Sequence, residues 1–556
     1  MREGTVSDAF FAQAGRVPER ACFVLVRAGQ PDLVRTFAET ARRARLAAAR
    51  LRAHDVKPGD VVVLVGTHHP GLYAAWLGAS LLGAVPAVLA EPSVRVDREV
   101  YSSRLEALLQ RCDARIVAID PRYRARIALD ARSTMIDYDL LDADGPEPGA
   151  AEAPAVDPGA PALLQHSSGT TGLQKGVVLS HRAILRHAAA HREVLALRDD
   201  DVIASWLPLY HDMGLVACFL TGILEGVPHV WLSPFEWVSG PGALLDAVGR
   251  HRATLAWLPN FAFAFLAQRV RPDAPVDLSS LRAVVSCSEP VTAAALDAFS
   301  SAFAARGLRP SALATCYAMA ETVFAMTATT PSDPPRRLCA ARDAWGEGRV
   351  VRAAEGVGLV SSGRALPGCE IRIAASDGTR LPPLTQGRVL VRTPWSFDGY
   401  FRAQDARASF DAEGFFDTGD LGLLDEDGHV FVTGRAKDLL ILAGKNVHPH
   451  DVEEAVSRVE GVRPGRVVAF GVPLATRETE GLCLVCESTR PSDDAALVVR
   501  AIRARVAAEL DLDVVDVKVV ADGLLRKSTS GKLARAGNRE WYLAERFGAI
   551  PASVAR

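Results

Sequence analysis

The sequence predicts an α/β protein: a large multi-subdomain N-terminal unit with mostly parallel sheets, followed by a small α+β unit. Three observations predict it. Short, continuous apolar runs at 61–65, 85–89 and 283–286 suit strands buried on both faces, as parallel sheets require. Helical stretches alternate with such runs along much of the chain. A chain of 556 residues is also too long for one hydrophobic core, so two or more domains are expected.

The elements follow in order. Phe37, Ala41, Ala44, Ala48 and Leu51 recur at steps of four and three, the mark of an amphipathic helix. Lys57-Pro58-Gly59-Asp60 is turn chemistry leading into the strand at 61–65. From Gly71 to Ala90 no charge occurs, which matches the length of a membrane span. Pro86 interrupts that stretch and His68 and His69 precede it, so a buried helix over 72–82 and a buried strand at 85–89 are expected instead. A helix at 98–111 and a strand at 115–119 come next. Residues 142–161, rich in Pro, Gly, Ala and acids, read as a surface loop. Beyond it come a helix at 180–195, a strand at 202–206, the strand at 283–286 and a helix at 291–305. Short strands and turns are expected at 411–434, where Asp427-Gly428 marks a hairpin. After a strand at 439–442, a helix at 450–459, strands at 466–471 and 482–487, a helix at 493–509 and a strand at 514–520 make a compact α+β unit. The boundary is placed between 435 and 436, giving units of 1–435 and 436–556.

Composition narrows the function. Hydrophobic content of 49% and charged content of 23% are ordinary for a globular protein. With 63 basic and 66 acidic residues, bulk charge gives no reason to bind nucleic acid. Nine scattered cysteines do not form a disulfide framework, and the N-terminus lacks an apolar signal core, so a cytoplasmic protein without a membrane span is expected. Cys483 and Cys486 lie within one apolar run, where their side chains face opposite ways. They read as structural.

Chemistry concentrates first in Ser167-Ser168-Gly169-Thr170-Thr171-Gly172-Leu173-Gln174-Lys175-Gly176. Glycines let backbone N–H groups approach an anion, hydroxyls donate to its oxygens, and Lys175 supplies charge. This is a phosphate loop, though not the G-x-x-x-x-G-K-[ST] loop of kinases and G proteins. His211 stands in Leu207-Pro208-Leu209-Tyr210-His211-Asp212-Met213-Gly214, at the end of an expected strand, where open α/β sheets bind ligands. It reads equally as a hydrogen-bonded loop histidine. The aromatic cluster Trp257 to Phe265 suits core packing, or alternatively the wall of an apolar substrate tunnel. Glu321 closes a strand–loop segment and suits Mg²⁺, which takes one or two carboxylates plus phosphate oxygens. Taken alone, a lone Glu is more often a solvated surface charge. Lys527-Ser528-Thr529-Ser530-Gly531-Lys532 is a basic, hydroxyl-rich loop or a cationic tail.

The order of these motifs resembles the adenylate-forming superfamily over about 35–535, with acyl-CoA synthetases, peptide-synthetase adenylation domains and fatty acyl-AMP ligases among its members. Two departures are that the family usually has Pro where Gln174 and Arg526 stand. The resemblance implies a large adenylation domain and a mobile C-terminal domain on a hinge at Lys437. It also implies roles residue by residue. Ser167, Ser168, Gly169, Thr170, Thr171, Gly172 and Lys175 hold phosphates. Ser288, Glu289 and Pro290 form the adenine-contacting turn. Tyr317, Ala318, Met319, Glu321 and Thr322 form the motif whose Tyr packs on adenine and whose Glu holds Mg²⁺. Asp420 binds the ribose hydroxyls, Arg435 ribose or phosphate, and Lys532 is the catalytic lysine, with His211 and Glu321 as further catalytic candidates. Trp206-Leu-Pro-Leu-Tyr-His211 and Pro259-Asn260-Phe261-Ala262-Phe263 resemble fatty acyl-AMP ligase segments, placing Trp206, His211, Asn260 and Phe261 at the acid. The 42 residues separating Glu321 from Gly363, including 340–356, match an extra segment of that branch, thought to hinder the rotation that CoA needs.

The expected function is therefore ATP- and Mg²⁺-dependent activation of a carboxylic acid, expected to be fatty, to acyl-AMP, with transfer to the phosphopantetheine of an acyl carrier protein. An acyl-CoA ligase is the alternative within the class. A nucleotide-binding protein without catalysis is the alternative outside it. The acid and the oligomeric state are left open.

Overall fold

The computed structural model describes residues 4–92, 97–130, 132–146, 154–166, 175–271, 274–330, 332–402, 410–442, 445–473, 480–489, 494–527 and 533–547. Its largest sheet has nine strands, in the order Arg364–Ala365, Ala325–Ala328, Leu313–Ala318, Ala283–Cys287, Leu255–Pro259, Ile203–Ser205, His229–Trp231, Ala21–Leu25 and Leu33–Thr36. From Leu313–Ala318 to Ala21–Leu25 every neighbour is parallel, and the outer pairs are antiparallel. The carboxyl ends of the central strands therefore open on one edge.

A second sheet is wholly parallel, in the order Val85–Leu89, Val61–Val65, Ile116–Ile119, Thr134–Asp137. Pro86 is tolerated because its strand lies at the sheet edge, where a missing N–H costs no ladder bond. The charge-free stretch supplies that strand and the helix Pro70–Leu81, which is buried over most of its surface. Pro70 starts the helix and the His69 ring accepts from the Gly71 N–H. Gly78 permits close contact with the helix Phe37–Ala53, since a Cβ there would lie 2.8 Å from the Ala48 nitrogen. Among the described residues no helix is long and apolar enough to cross a membrane.

Next comes an antiparallel sheet of Glu370–Ala374, Gly387–Arg392, Phe416–Leu424 and Val430–Arg435. Gly428, at φ +84°, makes the expected hairpin turn. Phe416–Leu424 is longer than the short strands expected there, because it pairs on both sides. A hairpin of Arg337–Ala340 and Val357–Val360 brackets the short helix Arg342–Gly346.

The last part is a three-stranded sheet of Val462–Pro473, Glu480–Ser488 and Val514–Val520 between helices. Cys486 packs with Val498, Ile502 and Val506 of the helix Ala495–Leu510, while Cys483 packs on the other face with Tyr542 and Leu543. The two thiols do face opposite sides. Buried apolar residues between Leu440 and Val517 form a cluster separate from the one running from Val6 to Phe416.

The cluster at 257–265 divides. Trp257 ends within the strand Leu255–Pro259, and the helix Asn260–Arg269 turns Phe263 and Leu266 into the core. Phe261 stays exposed on the opposite side.

Candidate active site

Three loops meet at the carboxyl edge of the large sheet. After Ala283–Cys287 comes Ser288, held at φ +70°, an uncommon conformation for a residue with a Cβ. The next residue, Glu289, accepts the Phe261 N–H at 3.0 Å. Asn260 accepts the Thr292 N–H at 3.1 Å and donates to its hydroxyl at 3.3 Å. The loops after neighbouring strands are thus laced together, and the Asn260 amide is engaged within that lacing.

Tyr317 lies near the end of Leu313–Ala318, and its hydroxyl donates to the Asp420 carboxylate, 103 positions away. Burial first, then the Asp420 charge, pushes the Tyr317 hydroxyl well above the usual phenol range. Asp420 also accepts from Arg435 Nε at 2.8 Å, and the two residues sit opposite each other in register across the antiparallel pair. Arg435 Nη1 donates to the Thr418 carbonyl at 3.1 Å. Its side chain is 49% exposed, so the guanidinium is fixed along one side and open along another.

Glu321 sits in the turn Ala320–Thr322. The turn is braced by Val323, at φ +64° and ψ −56°, with the Phe324 N–H bonded to the Thr322 carbonyl at 2.6 Å. This is a γ-turn of the rare, strained hand, and such strain persists only where the surroundings impose it. The Thr322 hydroxyl is fully buried and bonds the Met319 and Phe324 carbonyls at 3.2 and 3.0 Å, so it stabilises the turn. Met319 is buried and Ala318 half-buried beside it. Burial raises the Glu321 carboxyl above the ordinary carboxylate range, against the pull of a Tyr400 hydrogen bond and the Arg435 charge.

Tyr400 was not legible in the sequence. The segment around it runs along the strand Gly176–Ser180, bonding Val178 N–H to Gly399 and Phe401 N–H to Gly176. That places the Tyr400 hydroxyl 2.9 Å from Glu321 Oε1 and its ring 4.8 Å from Lys175 Nζ. Lys175, Tyr400 and Glu321 form a line, with Arg435 near enough to act on Glu321 as well as Asp420. A single carboxylate beside a loop lysine is the kind of donor Mg²⁺ takes when phosphate oxygens complete its shell. Among the described residues no three or more His, Cys, Asp or Glu gather as an all-protein metal cage.

His211 heads the π-helix Met213–Leu220, with Nδ1 at 2.7 Å from Asp212 Oδ1 and 3.3 Å from the Met213 nitrogen. Gln165 Nε2 donates to the Tyr210 carbonyl at 2.8 Å, tying this loop to the strand Pro161–His166. Trp206 is buried just past Ile203–Ser205.

Ser167, Ser168, Gly169, Thr170, Thr171 and Gly172 lie outside the described residues, and so does Lys532. Their frames are described. Pro161–His166 and Gly176–Ser180 pair antiparallel, with His166 opposite Gly176. Around the C-terminal loop, Lys527 bridges Leu533, and the Asn538 side chain bonds both the N–H and the carbonyl of Arg526 at 2.8 Å. Arg535 pairs with Glu453 at 2.8 Å and with Asp438 at 3.0 Å. Lys437 lies in the turn Ala436–Asp438, directly between Arg435 and that pair. Asn538 gives no sequence signal, since a buried Asn in an amphipathic helix looks like any polar position.

An AMP-binding enzyme family model matches residues 10–401. The chain belongs to this family and is an adenylate-forming acyl ligase. A 4-hydroxyphenylalkanoate adenylyltransferase of Mycobacterium marinum is 30% identical over 98% of this chain and 92% of its own. A long-chain-fatty-acid–AMP ligase of the same organism is 29% identical over 93% of each. A solved structure from a study of fatty acyl-adenylate ligases of E. coli and L. pneumophila superposes with a TM-score of 0.90, at 26% identity over 98% of this chain and 99% of its own.

Proposed function

We propose that this chain joins a carboxylic acid to AMP and then hands the acyl group to the phosphopantetheine thiol of a carrier protein. Residues 1–435 hold ATP and the acid, and 436–556 act as a mobile unit that brings Lys532 to them. The observation that carries this reading is the Asp420 carboxylate held between the Tyr317 hydroxyl and Arg435, with Arg435 also acting on Glu321. A carboxylate fixed by two donors still has lone pairs for the two hydroxyls of a ribose.

In the first step a carboxylate oxygen attacks the α-phosphorus, the acyl–O–P bond forms, and the bond to the β-phosphate breaks with release of pyrophosphate. Two anions must meet, so catalysis rests on positioning and charge neutralisation. Tyr317, Ala318, Met319 and Ser288 to Pro290 enclose adenine, and Asp420 takes the ribose. Arg435, Lys175 and the loop 167–172 neutralise phosphate charge. Bound Mg²⁺ on Glu321 would add further neutralisation at the phosphates. Lys532 places its ammonium between the carboxylate and the α-phosphate. In the second step a thiolate attacks the acyl carbonyl, the C–S bond forms and AMP leaves.

The carrier acceptor is supported by the segment 340–356. Trp345 packs its ring 5.3 Å from that of His448, and its Nε1 lies 3.4 Å from Asp451 Oδ2. Both partners belong to the start of the helix Pro449–Ser457, the first of the C-terminal unit. The segment thus grips the part that a CoA reaction needs to rotate.

Pyrophosphate exchange into ATP tests the first step: Lys532→Ala should lose it while ATP binding survives, and full exchange would refute the lysine's role. Offering the preformed adenylate to CoA and to a holo-carrier protein tests the second. Acylation of CoA alone would overturn the carrier reading.

A further inference from the structure

We infer that the acid is compact, short or built on a single aromatic ring, because Trp206 and Trp237 stack on the stretch of sheet edge where the acid is read to lie. This rests on the adenylation reading and deepens it. Sheet order gives the location. Tyr317 and Ser288, assigned to the nucleotide, follow the strands Leu313–Ala318 and Ala283–Cys287. Continuing along the same edge, the next carboxyl ends are those of Leu255–Pro259, Ile203–Ser205 and His229–Trp231. Asn260 and Phe261 follow the first, Trp206 the second, and the helix Pro234–Ser239 the third. The acid, which must reach the α-phosphate, lies along this row.

Two stacked indoles stand on the row. The rings of Trp206 and Trp237 are 3.8 Å apart and inclined by only 4°. They are 7% and 1% exposed. Trp237 also meets Phe265 at 5.5 Å and Phe261 at 6.3 Å, at steep angles. The helix Pro234–Ser239 turns Trp237 inward while Phe235 and Val238 point to solvent.

The wall is also held in place. Phe261 is fixed through its N–H on Glu289, and its neighbour Asn260 is locked to Thr292. The fully buried π-helix Met213–Leu220 packs against the strands Ile203–Ser205 and Leu255–Pro259 that carry this wall. An extended alkyl chain has to displace an indole from its stack, whereas a single ring or short chain ends against it. Phe261, at the exposed end, adds an edge for an aryl ring to meet.

The test is a pyrophosphate-exchange profile across acetate, hexanoate, benzoate, 3-phenylpropionate, dodecanoate and hexadecanoate. For the unaltered enzyme, kcat/KM should peak with hexanoate or an aryl acid, and dodecanoate should fall at least 100-fold below. Trp237→Ala should raise the dodecanoate value at least tenfold and lower the aryl value, with KM for ATP unmoved. Trp237→Phe, which keeps a smaller ring, should give an intermediate profile. A peak at dodecanoate or hexadecanoate in the unaltered enzyme would overturn the inference even if no variant folds. An unchanged profile in a folded Trp237→Ala protein would do so too. Exchange with none of the acids would sink the adenylation reading itself, and this inference with it.

Discussion

Replacing Asp420 by Asn keeps its shape and removes its charge. In the structure Asp420 accepts from a neutral donor, Tyr317, and from a cation, Arg435, at 2.8 Å. A hydrogen bond to a charged group contributes about 1.5–3 kcal/mol and a neutral one about 0.5–1.5. Asn offers one acceptor oxygen, so Arg435 keeps a weakened bond to it while the Tyr317 hydroxyl, on the other atom, must turn from donor to acceptor; the change costs about 2 kcal/mol of stability, limited by solvent screening at half-exposed Arg435. If Asp420 also receives the two ribose hydroxyls, the same conversion costs a further 1–3 kcal/mol, roughly, in the ATP complex. That is roughly a 5- to 150-fold loss in kcat/KM for ATP, at about 1.4 kcal/mol per tenfold. Pyrophosphate exchange at varied ATP, alongside thermal melts, separates the two costs. A lowered melting point with unchanged kcat/KM for ATP would show that Asp420 only braces the sheet, and would refute the nucleotide role.

Three other outcomes are expected. Asn538→Ala removes a fully buried amide with bonds to Arg526 and Ala534, a loss of about 3 kcal/mol, and should lower kcat for exchange while leaving KM for ATP near normal; faster hydrogen exchange over 526–535 is the independent check. Tyr400→Phe deletes a hydrogen bond that favours ionised Glu321, so the acid limb of the pH–rate profile should move to higher pH, measured by exchange between pH 5 and 8. Burial holds His448 down to about 4 from 6.5, so the unfolded chain takes up that proton first, and stability complete above pH 6.5 is lost as pH falls toward 4. That loss is about 3 kcal/mol at most for this group, and His448→Phe should lessen, by this one group's share, the melting point's dependence on pH across that window.

How far the sequence could be read depended on whether an element's partners were near or far along the chain. Val61–Val65 and Val85–Leu89 stand where the apolar runs place them, since a short continuous apolar run buried on both faces has few other uses. Met213–Leu220 was not foreseeable as a π-helix, because a uniformly apolar stretch carries no period to read. The strand Val462–Pro473 begins earlier than 466 because a register shift between Val462 and Val467 absorbs Pro464 and Gly465. At the site, Tyr317, Glu321, Asp420 and Arg435 were named through motif order, yet the bonds of Asp420 to Arg435 and to Tyr317, the latter 103 positions away, could not be derived from spacing. Tyr400, Trp345 and Asn538 carry no motif at all. Their importance comes entirely from which distant strand or helix the topology delivers beside them.

The register of Asp420 against Arg435 has a practical consequence for recombination. The family match ends at 401, a tempting seam for grafting a foreign acid-selecting half onto this chain. A graft cut there would separate Tyr317 and Glu321 from the strands that carry Asp420 and Arg435, and would pair each half with strangers. Crossing over within 436–438 keeps that quartet of one parentage, but it then splits Asp438 from Arg435 while leaving its tie to Arg535 on the downstream side only if the join precedes Asp438. The workable seam is therefore between Arg435 and Asp438, a window three peptide bonds wide.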